Sequence, residues 1–211
     1  MRNINKDTIM KKLIGLLLAI LVAVPVWAAE TPETQIKQIS DEVLEIISND
    51  DELQHKGNTG PAIALIDAKV LQPHFNFRHM TKLGMGKEWR KATPEQQDML
   101  VKEFKTLLVR TYSNALTTYK NPTVRLKPTR NKPTDTEAQV RTKVLQPGIK
   151  PVDIDYSLEK LGDEWKVFDV VVAGVSLVTN YRQFFGQEIR NGGVDGLIKS
   201  LQAKNREPEK R

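Results

Sequence analysis

The chain has 211 residues, with 32 Lys and Arg against 26 Asp and Glu, a net charge of +6, and no cysteine. Disulfides, thiol catalysis and thiolate metal sites are therefore excluded, and stability has to come from a packed core. The positive charge is mild and no basic block is interleaved with aromatics, which argues against nucleic acid as the partner.

The first 28 residues read as a secretory signal peptide. Lys11 and Lys12 supply the positive start, Leu13 to Val24 run without a charge, and Val26-Trp27-Ala28 offers a small-residue cleavage site. The uncharged run from Leu13 to Ala29 is 17 residues, at the lower limit for spanning a bilayer, and Pro25 falls where a membrane helix would continue. Cleavage after Ala28 is therefore expected rather than a retained anchor. Met10-Lys-Lys-Leu also makes a more compact start than Met1. Residues 1–28 hold four basic side chains (Arg2, Lys6, Lys11, Lys12) and one acid (Asp7), so the remainder carries +3. A protein this weakly basic can still approach anionic membranes or acidic partners. Residues 29–205 are long enough for one domain with a sizeable core, followed by a charged tail at 206–211.

Helices come first in the mature chain. Ile36, Ile39, Val43, Ile46 and Ile47 recur at three- and four-residue steps and draw one stripe on a helix from Thr31 to Ser48. A second, short helix is expected from Ala62 to Leu71, closed by Pro73. Phe75, Phe77, Met80 and Leu83 follow, with Gly84 and Gly86 breaking the pattern. The strongest helix signal starts at Thr93. Thr93 is an N-cap, Pro94 takes the first helical position, and Gln96 can reach back to complete a capping box. Leu100, Phe104, Leu107, Leu108, Thr111, Ala115 and Tyr119 then keep one face, and Pro122 ends the helix.

The period then changes from 3.6 to 2. Val124 and Leu126, then Ala138 to Val144, then Val152 to Leu158 alternate with polar residues, and Trp165 to Ala173 is a more continuously apolar fourth strand. Gly148 and Gly162 stand where hairpin turns are needed. Helices return at Leu177 to Ile189 and Val194 to Leu201, separated by Gly192-Gly193. Helices, about four antiparallel strands and more helices describe a single α+β domain whose sheet is covered by helices on one face.

Chemistry is sparse. His74 and His79 lack the glutamate of a metalloprotease pattern, and His55 lies in a polar turn, so ordinary surface or interface histidines are expected. Asp153 and Asp155 share one face of a strand, which invites a paired-carboxylate reading. That face alternates against Val152, Ile154 and Tyr156, so a solvated outer face is expected instead. Gly174-Val-Ser176 lacks the glycine that a nucleophile elbow needs after the serine. For proton transfer on an apolar substrate the best remaining acid is Asp169, and its inward or outward direction discriminates that reading. The apolar stripes of the long helix and of the sheet face one another. Periodicity alone does not distinguish a filled core from a cavity lined by the same residues.

Several stretches together resemble the MlaC-type periplasmic phospholipid-binding family, also called the toluene-tolerance family. They are Phe77-Arg-His-Met80, Leu83-Gly84, Trp89-Arg-Lys-Ala-Thr-Pro-Glu-Gln-Gln97, Glu103 to Tyr112, Leu116-Thr-Thr-Tyr119, Trp165 to Leu177, Asn180-Tyr181-Arg182 and Gly196-Leu197-Ile198. The loop after Gly84 departs mildly, carrying Met85 and Gly86 before Lys87. The resemblance implies a monomeric, non-enzymatic carrier in the periplasm of a Gram-negative cell, with no cofactor and no metal. Its partners would be a phospholipid, an inner-membrane ABC transporter with an MCE-domain subunit, and an outer-membrane lipoprotein complex, the system keeping phospholipid out of the outer leaflet. Related members also serve sterol-like or hopanoid lipids. Exposing two acyl chains of ~15 carbons to water costs on the order of 20 kcal/mol, so a lipid crossing an aqueous gap needs an escort.

From the facing stripes together with the resemblance, ten residues are expected to line an acyl pocket. They are Phe104, Leu108 and Tyr112 on the long helix, Val152, Ile154 and Tyr156 on the third strand, Val170 and Val172 on the fourth, and Val175 and Leu177 after it. Arg110 and Arg182 suit a lipid phosphate by guanidinium geometry, although a surface role is the first expectation for both.

Overall fold

The computed structural model describes residues 30–50, 60–118 and 122–207. The signal-peptide segment, His55 and Tyr119 lie outside them. Helix α1 (Pro32–Asn49) starts as its end signals require: Thr31 caps it through a hydrogen bond from the Thr34 amide to its hydroxyl (3.1 Å), and Pro32 sits in the first turn. The Ile36, Ile39 and Ile46 stripe is buried. Within that stripe Gln35 is also buried, and its amide donates to the Trp165 carbonyl at 2.7 Å, tying helix to sheet.

Helix α2 (Gly60–Ile66) runs into a wider π-helical turn (Asp67–Leu71) and one more turn (Gln72–His74). Pro73 therefore lies inside the last helical turn instead of ending the one before it. A proline at a first helical position has no intrahelical N–H bond to lose. Phe75 and Asn76 then run alongside a strand, the Asn76 amide bonding to the Val167 carbonyl at 2.8 Å. Helix α3 (Phe77–Met85) includes Gly84 and stops at Gly86, whose φ is +59°. A short 3₁₀ segment (Gly86–Lys91) leads to α4 (Pro94–Thr118). The capping box at its start is formed in both directions: Thr93 N–H to Gln96 Oε1 at 2.9 Å, and Gln96 N–H to Thr93 Oγ1 at 3.2 Å.

The sheet is an antiparallel meander of five strands: β1 (Thr123–Leu126), β2 (Glu137–Gln146), β3 (Ile149–Leu161), β4 (Glu164–Val172) and β5 (Val175–Ser176). Periodicity anticipates four of these. The fifth is two residues long and has no periodicity to show. In-register neighbours place Val124 beside Val144, Val144 beside Val152, Thr142 beside Ile154, and Val140 beside Tyr156. Across β3 and β4, Ile154 meets Val172, Tyr156 meets Val170, and Leu158 meets Val167. Val167 and Val170 are three residues apart, so a regular strand would send them to opposite faces. A bulge between the two pairs leaves Phe168 unpaired and brings both valines to one face. That bulge accounts for the break in strict alternation between Val167 and Val170, while Val171 beside Asp155 is an apolar residue on the outer face.

Helix α5 (Leu177–Arg206) is a helical hairpin. Gly193 has φ +67° and ψ −164°, and beyond it the chain doubles back. Ser200 reaches the Glu188 carboxylate, and Lys204 lies 5.0 Å from the Phe184 ring centre. The second arm runs alongside α4, with Gln96 bonded to Asp195 and Asn205 to Glu103. The core is one cluster spanning α1 to α5 and the inner sheet face, in which each buried large apolar side chain is worth about 1.5–3 kcal/mol. The domain is α+β, with helices on the inner face of the sheet.

Candidate functional site: an apolar concavity on the sheet

Burial along the inner face of the sheet is uneven. Ala138, Val140, Leu158, Trp165 and Val167 are closed off from water. Farther along the same strands, Val144, Val152, Ile154, Tyr156 and Val172 are only half-buried, although each faces the same side as its buried neighbours. A filled core would seal these five. Half-covered valines and an isoleucine side by side make an apolar face of the kind a lipid chain covers, and from it we infer a concavity on the sheet.

The helices contribute two tyrosines. Tyr112 on α4 is half-buried; burial raises its phenol pKa, and Tyr181 beside it raises it further. Tyr181 on α5 is also half-buried and stands edge-on to Phe104 with ring centres 5.1 Å apart. Tyr156 is half-buried as a residue, and burial pushes its phenol up to about 12. The raised phenols of Tyr112 and Tyr156 stay neutral at physiological pH and offer an acyl chain no charge.

Of the ten residues expected from sequence, Val152, Ile154, Tyr156 and Val172 form the half-buried inner face, and Tyr112 is half-buried on α4. Leu108, Val170 and Leu177 are buried around it. Phe104 is fully buried beneath the rings of Tyr181 and Phe185, which makes it packing behind the concavity. Val175 is 56% exposed at the start of β5, outside the group. Sequence reasoning passed over Tyr181, whose signal is the four-residue spacing of Leu177, Tyr181 and Phe185. It also omitted Val144 from the site while recognising it in the strand.

The polar candidates have structural positions. Asp169 pairs with Ser157 on the face opposite the concavity and caps the start of α5: its carboxylate accepts from the Val170 amide (2.8 Å), the Val178 amide (3.2 Å) and the Ser176 hydroxyl (2.6 Å). Ser176 is itself the N-cap of α5, accepting from Thr179 at 3.0 Å. The Gly-Val-Ser stretch is thus a helix start. Asp153 lies on the outer face between Lys127 (2.8 Å) and Lys143 (3.6 Å), and the hydrogen bond and charge of Lys127 keep its pKa low. Asp155 is half-buried, a partial departure from a solvated face. His79 is engaged with Glu159 (2.8 Å) and stacked on Phe168, while His74 takes a hydrogen bond from Gln35 at 3.3 Å. Arg110 donates to the carbonyls of Asn205 and Glu207, and Arg182 to that of Leu83, each binding a helix C-terminus. Among the described residues no three His, Asp or Glu side chains gather as a metal site.

An α+β domain that leaves part of its inner sheet face as an apolar concavity, with its best-placed carboxylate spent on a helix cap, belongs to the class of small apolar-ligand-binding domains. The comparisons with known proteins make the class specific. The sequence model of the family described as MlaC protein matches residues 37–203, and the chain belongs to this family. The toluene tolerance protein ttg2D of Pseudomonas putida is 31% identical over 209 residues, covering 92% of this chain and 95% of that protein. The intermembrane phospholipid transport system binding protein MlaC of Haemophilus influenzae is 25% identical over 196 residues, covering 91% and 90%. Among solved structures, the phospholipid-binding protein from Ralstonia solanacearum in complex with a phospholipid superposes with a TM-score of 0.78 at 36% identity, covering 83% of this chain and 97% of that one.

Proposed function

We propose that this protein is a non-enzymatic periplasmic carrier that holds a phospholipid by its acyl chains and shuttles it between outer-membrane and inner-membrane complexes, maintaining the lipid asymmetry of the outer membrane. The observation that carries the reading is the row of half-buried apolar side chains on the inner sheet face: Val144, Val152, Ile154, Tyr156 and Val172. Similarity over 83% of this chain to a protein solved with a phospholipid supports it. A carrier has to match the apolarity of a bilayer without exceeding it by much, or its cargo would not leave. Half-covered valines meet that need better than a sealed cavity. The enzyme alternative loses support because Asp169, its best acid, faces away from the concavity and has its oxygens occupied. Residues 1–28 serve as the signal peptide, and no described helix is long and apolar enough to cross a membrane. The partners follow from the family: an ABC transporter complex with an MCE-domain subunit on the inner side and a lipoprotein complex on the outer side.

Native mass spectrometry of protein purified from the periplasm tests the carrier. We expect a bound phospholipid, and an N-terminus at Ala29. Val172→Asp puts a charge among the half-buried valines and should lower lipid occupancy at least several-fold while the circular dichroism spectrum persists. A wild type free of lipid in every preparation, or full occupancy in a folded V172D, overturns the assignment.

A further inference from the structure

A second concavity lies away from the sheet, where α3 meets the first arm of α5. It is an open groove of about 480 Å³, with Lys87, Glu88, Arg182 and Arg190 set around a glycine-rich floor. Its origin is a close helix crossing. A β-carbon at Gly84 would sit 3.0 Å from the Phe185 ring, so the two helices touch there and diverge beyond, leaving a gap floored by glycine backbone, Met85 and Ile189. The Phe185 ring also packs on Phe104 at 4.9 Å, and so stands between this groove and the aromatic packing behind the sheet concavity.

Three cations converge on the gap. Among the described residues neither Lys87 nor Arg190 has an ion-pair or hydrogen-bond partner, and both are exposed. Arg182 gives two of its five N–H donors to the Leu83 carbonyl and keeps the others. The single acid, Glu88, is already neutralised by Lys91 at 2.8 Å. Like charges gathered without a counter-charge repel one another, and an anion between them removes that repulsion. Two guanidinium forks and an ammonium suit tetrahedral phosphate oxygens, since Arg offers paired N–H donors and Lys a compact charge. Glycine at 84, 86 and 186 keeps the floor free of side chains, and the flanking Met85 and Ile189 accept a short carbon skeleton.

We propose that this groove is a second ligand site, distinct from the acyl concavity, that binds a phosphate ester on a glycerol-sized skeleton. The same chemistry is presented by a phospholipid headgroup at a lipid surface and by a free glycerol phosphate, and the two sources separate experimentally. The proposal does not depend on the carrier reading.

The test uses the full-length mature protein, uniformly ¹⁵N-labelled, titrated with sn-glycerol 3-phosphate at constant ionic strength. Saturable shifts confined to residues 84–88 and 182–190 are expected, with an affinity at least tenfold weaker in K87A/R190A. Both positions are exposed and unpartnered, so the variant should fold as the wild type does. A parallel arm measures co-sedimentation with vesicles of phosphatidylglycerol in phosphatidylcholine. Vesicle binding that K87A/R190A loses identifies the headgroup as the source; binding of the soluble ester without vesicle binding identifies the free phosphate. Absence of groove shifts with the soluble ester, together with vesicle binding that is absent or unaffected by K87A/R190A, overturns the proposal. So do identical shifts with sodium sulfate, or shifts that K87A/R190A leaves unchanged.

Discussion

Replacing Asp169 by asparagine separates a structural carboxylate from a catalytic one. Asp169 accepts three hydrogen bonds at the start of α5, two from backbone amides and one from Ser176. Asparagine keeps one oxygen, so the two amide bonds to Oδ1 survive as neutral bonds while the acceptor facing the Ser176 hydroxyl is lost. A bond to a charged group contributes about 1.5–3 kcal/mol and a neutral one about 0.5–1.5. Removing a negative charge from a helix N-terminus costs about 0.3–1 kcal/mol more. Weighing these, D169N should destabilise the fold by about 2 kcal/mol. At about 2–4 °C per kcal/mol for a domain of this size, the expected fall in Tm is about 4–8 °C. Because bound lipid itself raises the apparent stability, wild type and variant have to be compared in the same lipid state, both delipidated or both filled. Lipid occupancy by native mass spectrometry should be unchanged. An unaltered Tm would refute the cap, and loss of lipid from a still-folded D169N would refute the separation of Asp169 from the concavity.

Gly84→Ala sets two effects against each other. The helix interior gains about 0.5–1 kcal/mol from alanine, while the new methyl meets the buried Phe185 ring at 3.0 Å, an overpacking worth about 1–3 kcal/mol. Net destabilisation is expected in urea unfolding, relieved in the double variant with Phe185→Leu; a more stable G84A would contradict the close crossing. His74 gives a pH dependence. Burial lowers its pKa, with the Lys166 charge adding to that, so the native state holds fewer protons than the unfolded chain below pH ~6.5. Its contribution makes stability fall as pH drops from neutrality through 6.5. His74→Gln should flatten that part of the profile, and an unchanged slope would argue that the ring titrates normally in the fold. At the alkaline end Tyr156, pushed up to about 12, makes stability decline as pH rises above ~10, and Tyr156→Phe should remove its share of that decline in a thermal-melt series.

Local signals were enough for most of the element list. The Thr93, Pro94 and Gln96 cap, the Ile stripe of α1 and the period-2 runs of β2 and β3 each rest on near neighbours in sequence, and each element forms where those signals place it. Positive φ at Gly148 and Gly162 meets the same expectation, since a tight hairpin needs a residue without a β-carbon penalty. β5 and the bulge at Phe168 were not legible, because two residues carry no period and a bulge is defined by its partner strand. The facing stripes showed which residues point inward but not which of them are covered.

Coverage depends on where helices end and how closely they cross, and these are long-range facts. Val140 and Val144 alternate identically along β2, yet one is sealed and the other half-open. Phe104 and Tyr112 share a helix face, yet one lies under two rings and the other is half-exposed. The carboxylate of Asp169 shows the same division. Its position in a strand was readable from residue order, but its outward direction was decided by the bulge at Phe168, and its partners by the turn through β5 that brought the start of α5 against it. Residue order sets propensity and face through interactions a few positions long. Cover, contact and the fate of each polar group come from segments distant in sequence and adjacent in space.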